Sequence, residues 1–144
     1  MNLSKIQKKI FPKNKDMGKR IWGKETLLCL IKNKFTLKRI FMKKGSKGGL
    51  QYHRKKEECG ILIKGKLKIN YSTDSKKLKS KIIKPGETFY FPTYFIHQEV
   101  ALTDCEIIEA STPYYNDRVR VEKKFKIKLA EGLKSTKYSE IGKF

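Results

Sequence analysis

The chain has 144 residues, 38% of them hydrophobic, which is enough for one compact core and leaves little room for a second. No apolar run reaches the ~20 residues that a membrane-spanning helix needs, so we expect no membrane association. The net charge is +21, but 30 of the 35 basic residues are lysine, whereas proteins that read bases or grip phosphates favour arginine. The composition therefore predicts no specific nucleic-acid partner, and its positive field favours an anionic small-molecule substrate.

Residues 1–20 form a basic N-terminal arm without the apolar stretch of a secretion signal. Leu3, Ile6 and Ile10 have helical spacing that Pro12 interrupts, which leaves a docked arm and a frayed end both open. The chain has three widely spaced cysteines, an odd number, at positions 29, 59 and 105. This usage is typical of reduced thiols, and we expect a cytoplasmic protein.

From Trp22 onward the sequence changes to short apolar runs separated by turns, which predicts about eight or nine β-strands. The runs lie at 26–31, 35–42, 61–63, 67–71, 81–83, 89–92, 99–102 and 105–110. Lys64-Gly65 and Pro85-Gly86 predict turns, since glycine tolerates a positive φ. Only 125–133 has helical character. The pattern predicts an all-β single domain, a sandwich or jelly roll.

Histidine is informative because the chain has only two, His53 and His97. Gln51 lies two residues before His53, so both side chains point to one face of a strand. Glu58 follows after a short bend. Two imidazoles, a carboxylate and an amide oxygen are a suitable donor set for one divalent metal ion. Taken singly, each residue also has a structural interpretation, such as a core histidine or a solvated Glu57-Glu58 pair.

The spacing of these residues resembles the two cupin motifs. The first match has five residues between its first two members, then one, four and six residues between the next ones: Gly45, Gln51, His53, Glu58 and Gly65. The second match is Gly86, Pro92 and His97. In the cupin family the matching residues hold a metal inside a small β-barrel. The chain departs from the usual motifs at Gln51, where a first histidine is common, at Tyr94, where glycine is usual, and at Ala101, where asparagine is usual.

Residues 19–125 resemble more narrowly the cupin domain of type II mannose-6-phosphate isomerases. The matching pieces are Trp22-Gly23, Phe35–Ile40, Leu50–His53 with Glu58, and a tail of Glu109, Ser111, Asp117, Val119, Arg120 and Glu122. That family has glutamine at the position of Gln51, which implies the metal set Gln51, His53, Glu58 and His97. Arg54 and Lys55 stand where the family often has histidine.

The resemblance implies a single small cupin β-barrel (jelly roll) over residues 21–126, with the arm at 1–20 and a short C-terminal extension at 127–144. It implies a divalent metal cofactor, with zinc expected first and iron, manganese or nickel as alternatives. Small cupins often form dimers, and exposed strand edges favour pairing, so we expect a homodimer.

The function implied is an aldose–ketose isomerase acting on a sugar phosphate. Arg120 is the candidate for holding phosphate or stabilising the enediolate, unless it is paired with a neighbouring acid. Glu109 and Tyr90 are candidates for the general base because they lie in predicted barrel strands. Three alternatives stay open: an iron-dependent oxygenase or lyase, a sugar-nucleotide isomerase or epimerase, and a non-catalytic sugar-binding cupin. The epimerase would need an aromatic platform, for which residues 90, 91, 94 and 95 are available.

Overall fold

The structure is a computed structural model, and it describes residues 10–142. The described residues form eleven strands and one 3-10 helix, Tyr138–Glu140. The strands are β1 Lys15–Arg20, β2 Gly23–Ile31, β3 Phe35–Met42, β4 Gln51–Tyr52, β5 Glu58–Lys64, β6 Leu67–Ser72, β7 Lys79–Ile83, β8 Thr88–Phe91, β9 Ile96–Ala101, β10 Cys105–Ser111 and β11 Val119–Arg120. No helix in this range is long and apolar enough to cross a membrane.

The strands form two antiparallel sheets that pack face to face. The six-stranded sheet has the order β1-β2-β3-β10-β5-β8, and the five-stranded sheet has the order β11-β4-β9-β6-β7. Both sheets also pair strands that are distant in the sequence, such as β3 with β10 and β4 with β9, as expected for a jelly roll. The predicted all-β jelly roll is therefore confirmed. Short β4 and β11 and the polar β1 are strands that hydropathy did not reveal, because none of them carries an apolar run.

The predicted helical character of residues 125–133 is wrong. A turn covers 122–126, and the chain then runs without regular structure to the 3-10 helix. Lys126 has a φ of 54°, which an α-helix does not accommodate. The backbone N–H of Ala130 donates to the Glu122 carboxylate at 2.9 Å rather than to a helical carbonyl. The segment is thus held by tertiary hydrogen bonds.

Both predicted glycine turns are present. Gly65 lies between β5 and β6 with a φ of 96°, and Gly86 lies before β8 with a φ of 89°. Neither turn closes a hairpin between paired strands, because β5 and β8 belong to the six-stranded sheet and β6 and β7 to the five-stranded sheet; each turn carries the chain from one sheet to the other.

The space between the sheets is divided into an apolar half and a polar half. Met42, Leu62, Leu67, Phe91 and Ile107 fill the apolar half and are 0–2% exposed. The polar half is formed by buried polar groups of β3, β5, β9, β10 and the loop after β4: Thr36, Lys38, His53, Glu58, His97, Glu109 and Ser111. Because buried polar groups are costly unless they are paired, this half is the place to look for function.

Segments near both ends of the described range, residues 19–22 and 131–133, border the polar half. Within the predicted arm, Lys15–Arg20 forms β1 on the edge of the six-stranded sheet, whereas Leu3 and Ile6 lie outside the described residues. The C-terminal extension runs beside β11, where Ser135 Oγ accepts from the Arg120 N–H at 2.9 Å and the Arg118 carbonyl accepts from the Thr136 N–H at 2.9 Å. The division into arm, barrel and extension stays a prediction.

Candidate metal centre

Three of the predicted ligands converge between the sheets. His53 follows β4, Glu58 begins β5, and His97 lies in β9. Glu58 Oε1 is 2.9 Å from His53 Nε2 and 3.3 Å from His97 Nε2. The potential ligand atoms of all three residues lie within 4.8 Å of one another, and all three side chains are buried. The spacing in the sequence therefore corresponds to one compact cluster.

Backbone carbonyls orient both imidazoles. His53 Nδ1 is 2.6 Å from the Asp117 carbonyl, and His97 Nδ1 is 2.9 Å from the Phe95 carbonyl. A carbonyl only accepts, so Nδ1 is the donor in each ring, and Nε2 of each ring lies next to Glu58. Two imidazole nitrogens and a carboxylate that face one another are a donor set that a divalent metal ion prefers. The residues therefore fit a divalent metal ion.

The predicted fourth ligand, Gln51, lies at the same place. Gln51 in β4 pairs directly with His97 in β9, and both residues line the cavity beside the cluster together with Glu58. The role of Gln51 as a ligand stays a prediction, and the direct pairing of Gln51 with His97 favours it.

Lys56 is a member of the site that the sequence analysis missed. Its ammonium nitrogen lies 3.2 Å from Glu58 Oε2, and the residue is only 7% exposed. The sequence indicated a role for Lys56 only weakly, since the chain has 30 lysines. Its position two residues before Glu58 nevertheless places the two side chains on the same side of the chain. Burial alone would raise the pKa of Glu58, yet the neighbouring Lys56 and His53 hold that pKa well below its usual range. Glu58 therefore remains a carboxylate.

Burial also sets the ionisation of the neighbouring groups. It lowers the pKa of His53 to about 4, with the positive charge of Lys56 acting in the same direction. Burial and the charge of Glu58 raise the pKa of Glu109 well above its usual range and raise the pKa of Glu99 to about 8. Glu109 was predicted as a site residue, whereas Glu99 was not. The site thus combines one ionised carboxylate with two acids whose pKa values are raised.

A cavity of about 280 Å³ opens above the cluster. Its walls carry charges of both signs, including the Glu25 carboxylate, which pairs with Lys38 at 2.7 Å and Arg20 at 3.4 Å. Trp22 from the N-terminal side and Leu133 from the C-terminal extension also line it. The wall of the cavity therefore includes segments from the N-terminal and C-terminal parts of the described chain. The charged groups suit a polar ligand rather than an apolar one.

Arg120 reaches the cavity wall, but its guanidinium is already occupied. It forms a buried ion pair with Glu122, with Nε 3.1 Å from Glu122 Oε1, and it donates to the carbonyl of Ala130. The structure thus shows the pairing with Glu122 that the sequence left open as the alternative. A role of Arg120 on a substrate stays a prediction.

Tyr90 is not brought to the site. It is 58% exposed, and its hydroxyl donates to Glu57 at 3.1 Å on the outer surface. The physical reason is strand alternation, because Phe89 and Phe91 take the inward positions of β8. Tyr90 consequently has no geometric support as a general base.

The four aromatics considered as a base platform are also dispersed. Phe91 is buried and stacks on His97, with ring centroids 3.9 Å apart. Phe95 packs beside Tyr71 at 6.0 Å, and Tyr94 is 65% exposed. The inward aromatics support the metal-site histidine rather than form a surface for a ligand.

Comparison with known families decides the wider assignment. The cupin family model matches residues 5–128. The chain belongs to the cupin family. Comparison with curated protein sequences gives no match. The family assignment confirms the cupin resemblance and leaves the narrower resemblance to mannose-6-phosphate isomerases as a prediction.

Solved structures show the same cupin fold at low sequence identity. Capsular polysaccharide assembling protein CapF from Staphylococcus aureus matches with a TM-score of 0.59 and 16% identity, over 69% of this chain and 28% of that one. KdgF from Halomonas sp. matches with a TM-score of 0.59 and 16% identity, over 69% and 87%. Bacillus subtilis oxalate decarboxylase, with Mn(II) centres, matches with a TM-score of 0.59 and 17% identity, over 71% and 28%. This cupin spans less than a third of CapF and of the decarboxylase.

Proposed function

We propose that this cupin is a metal-dependent aldose–ketose isomerase that acts on a sugar phosphate, in the manner of mannose-6-phosphate isomerases. The observation that carries the proposal is the convergence of His53, Glu58 and His97 at a cavity whose walls also hold Glu109 and Lys56. Such a cavity offers a cation site, a carboxyl group with a raised pKa and a fixed ammonium side by side.

A divalent ion held by His53, Glu58 and His97, with Gln51 as the fourth ligand, would supply Lewis acidity toward the oxygens of the substrate. The chain itself keeps this site in order. The carbonyls of Asp117 and Phe95 hold the two rings, and Phe91 stacks against His97. Preorganised ligands of this kind lower the cost of binding.

Isomerisation moves a proton between adjacent carbons and another between their oxygens. A carboxylate must therefore reach the carbon-bound hydrogen, take it as a proton and return it to the neighbouring carbon. Glu109 is the candidate, since it faces inward from β10 and hydrogen-bonds to Glu58 at the cavity wall. Lys56 and Lys38 supply ammonium donors for substrate oxygens from the same wall.

The phosphate preference is proposed from charge. Lys19, Arg20 and Arg118 line the mouth of the cavity, in a chain with a net charge of +21. A positive mouth raises the local concentration of an anionic substrate. The carboxylates deeper in the cavity suit hydroxyl groups, which donate hydrogen bonds.

The first test is the metal content of the purified protein by elemental mass spectrometry. We expect one equivalent of a divalent ion, lost in Gln51→Ala, His97→Ala and Glu58→Gln. Glu57→Gln is the matched control. Glu57 is next to Glu58 in the sequence, but its carboxylate faces outward and accepts a hydrogen bond from Tyr90. No metal in the wild type after reconstitution contradicts the proposal.

The second test is turnover of hexose phosphates by the metal-loaded protein. Interconversion of an aldose and a ketose phosphate, strongly reduced in Glu109→Gln, supports the isomerase. Bound metal without turnover of any hexose phosphate rejects the isomerase and keeps the metal centre. Iron with oxygen-dependent turnover would favour the oxygenase alternative.

A metal-free sugar-binding cupin is a second candidate, because Lys56 already places a positive charge on Glu58. For this candidate we expect less than a tenth of an equivalent of metal and a dissociation constant for a sugar that is unchanged by a chelator. Isothermal titration with and without EDTA distinguishes the two candidates.

A further inference from the structure

We propose that Arg118, together with Arg20, binds the phosphate group of the substrate, so that these two residues determine the preference for a phosphorylated sugar. The inference rests on the proposed function, because it takes a sugar phosphate as the ligand of the cavity. We call Arg20 and Arg118 the arginine pair. Both side chains line the cavity, and both are half-buried.

The arginine pair comes from opposite sheets. Arg20 ends β1, an edge strand of the six-stranded sheet, and Arg118 directly precedes β11, an edge strand of the five-stranded sheet. Burial lowers the pKa of Arg118, and the charge of Arg20 acts in the same direction whereas Glu25 opposes it. The two guanidinium groups are therefore close enough to act on one ligand.

Arg118 has hydrogen-bond donors that the protein does not use. Its Nη1 donates to the Lys134 carbonyl at 3.3 Å and to Thr136 Oγ1 at 3.4 Å, which are both neutral acceptors. Within the part of the chain that the structure describes, Nε and Nη2 of Arg118 have no acceptor. In Arg20 the contacts to Glu25, at 3.4 and 3.5 Å, are made by Nε and Nη2 rather than by Nη1. Guanidinium groups with donors to spare are suited to an anion.

The other buried or half-buried cations of the cavity wall already have a carboxylate partner. Lys38 and Lys56 each lie within 3.2 Å of a carboxylate oxygen, and Arg120 forms an ion pair of its own. Glu131 also lines the wall, but it is exposed, so solvent ions screen its charge. An incoming anion can therefore neutralise Arg118 without breaking an ion pair among the described residues.

A phosphate monoester fits the arginine pair better than a neutral hydroxyl group does. It carries close to two negative charges at pH 7 and three acceptor oxygens, so two guanidinium groups can bind one phosphate. The cavity extends from the arginine pair to Glu58 and His97. In an open-chain hexose 6-phosphate the phosphate and the carbonyl group lie at opposite ends of the molecule. The arginine pair would thus direct the reacting end toward the candidate metal centre.

The test is isothermal titration calorimetry of the full chain, before and after metal loading, with mannose 6-phosphate, mannose and inorganic phosphate. We expect the wild type to bind mannose 6-phosphate at least tenfold more tightly than mannose, and inorganic phosphate to compete with it. Arg118→Met should weaken the binding of mannose 6-phosphate at least tenfold and leave that of mannose within twofold. Arg118→Lys should lie between, because an ammonium keeps the charge but lacks the planar fork.

Two control variants separate the guanidinium of Arg118 from its surroundings. Arg39→Met removes the same charge from the exposed side of β3, where Arg39 pairs with Glu106 at 3.4 Å. Thr136→Val removes a hydrogen-bond partner of Arg118 and leaves the guanidinium in place. We expect both controls to bind mannose 6-phosphate within twofold of the wild type. A loss in Thr136→Val as large as in Arg118→Met would mean that Arg118 acts only through the C-terminal extension, and it would overturn the proposal.

A footprint of the wild type gives a second readout, which does not depend on a variant that folds. Phenylglyoxal modifies guanidinium groups, and peptide mass spectrometry locates the modified arginines. We expect mannose 6-phosphate to slow the modification of Arg118 at least fivefold and to leave that of Arg39 unchanged. No protection of Arg118, or equal binding of mannose and mannose 6-phosphate by the wild type, would overturn the proposal.

The arginine pair and the isomerase activity are distinguishable in these experiments. Binding that depends on the phosphate and on Arg118, without turnover, would reject the isomerase and support the arginine pair. Turnover of mannose 6-phosphate with the same KM in Arg118→Met as in the wild type would support the isomerase and overturn the arginine pair.

Discussion

At the scale of single residues, the site depends on a few buried charges that constrain one another. Glu58 contacts His53, His97 and Lys56 at the same time, and it is 5% exposed. A buried carboxylate with fewer positive or hydrogen-bonding partners would cost several kcal/mol of stability. A metal ion bound at this cluster would share the Glu58 carboxylate with Lys56, and each positive charge would weaken the binding of the other.

This sharing makes the metal affinity of Lys56→Met informative. Removing a positive charge next to Glu58 should tighten divalent metal binding by about tenfold or more, because two charges ~5 Å apart repel by a few kcal/mol even at an effective dielectric constant of ~20. The measurement is a competition titration against a chromophoric chelator. Lys55→Met is the control, since its ammonium lies outside the site over the Tyr138 ring. An unchanged or weaker affinity in Lys56→Met would contradict the proposed sharing.

Asp117 positions the loop that joins two of the ligands. Its carboxylate accepts from the backbone N–H of Lys55 at 2.6 Å and of Lys56 at 2.9 Å, and its carbonyl accepts from His53. We expect Asp117→Ala to lower the free energy of unfolding by about 2 kcal/mol and metal affinity by about tenfold, since buried bonds to a charged group are lost. Urea unfolding and the chelator titration measure both effects.

Asp104→Ala is the matched control for Asp117→Ala. Its carboxylate also accepts from a backbone N–H, that of Lys44 at 2.8 Å, but at an exposed position. We expect a loss below about 1 kcal/mol and no change in metal affinity, because water replaces an exposed bond. Equal losses in both variants would show that Asp117 has no special part in the site.

At the scale of elements, glycine turns and hydrogen bonds of the chain ends decide how the strands surround the cavity. The Glu122 carboxylate binds Arg120 and the backbone of Ala130, and this ties the C-terminal extension to β11. Tertiary bonds of this kind outweigh the weak helical preference of residues 125–133, which explains the loss of the predicted helix. The extension consequently lines the mouth instead of forming a separate element.

Two glycines of the cupin motifs provide a matched test of turn packing. Both have a positive φ, but a Cβ on Gly65 would lie 2.1 Å from the Asp104 carbonyl oxygen, whereas a Cβ on Gly86 meets nothing within 4 Å. We expect Gly86→Ala to cost about 1–2 kcal/mol from backbone strain alone. Gly65→Ala should cost at least about 2 kcal/mol more, because a backbone turn must move. Equal urea midpoints for the two variants would contradict the close approach of Gly65 to the Asp104 carbonyl.

At the scale of the whole molecule, charge is distributed unevenly. Residues 85–117 contain no lysine or arginine, whereas the outer side of the five-stranded sheet carries Lys47, Lys68 and Lys79 around one groove. A field of this kind attracts polyanions without reading their sequence. The dependence of binding on salt concentration therefore distinguishes electrostatic attraction from specific recognition of a base sequence.

We expect binding to single-stranded oligonucleotides that is independent of base sequence and falls at least tenfold between 50 and 200 mM salt, since it depends on counterion release. Fluorescence anisotropy measures it. Replacing Lys68 and Lys79 by alanine should reduce the salt slope by about one for each lysine that contacts a phosphate. A strong preference among sequences, or affinity that persists at high salt, would contradict the prediction of no specific nucleic-acid partner.

The sequence by itself determined the cupin fold and the three ligands of the candidate metal centre. Strand alternation, the turns at Gly65 and Gly86 and the spacing of Gln51, His53 and Glu58 are local signals, which are set over a few residues. His97 is distant in the sequence and was joined to them by the resemblance to the second cupin motif. They required no knowledge of which strands are neighbours in space.

Only the tertiary structure decided which other groups join the site. Lys56 is one of 30 lysines, and Glu99 one of 14 acidic residues, until the sheets bring them beside Glu58. The same packing turned Tyr90 outward, because Phe91 took the inward place against His97. Burial and charge pairing are sums over contacts between distant parts of the chain, and a local pattern does not contain them.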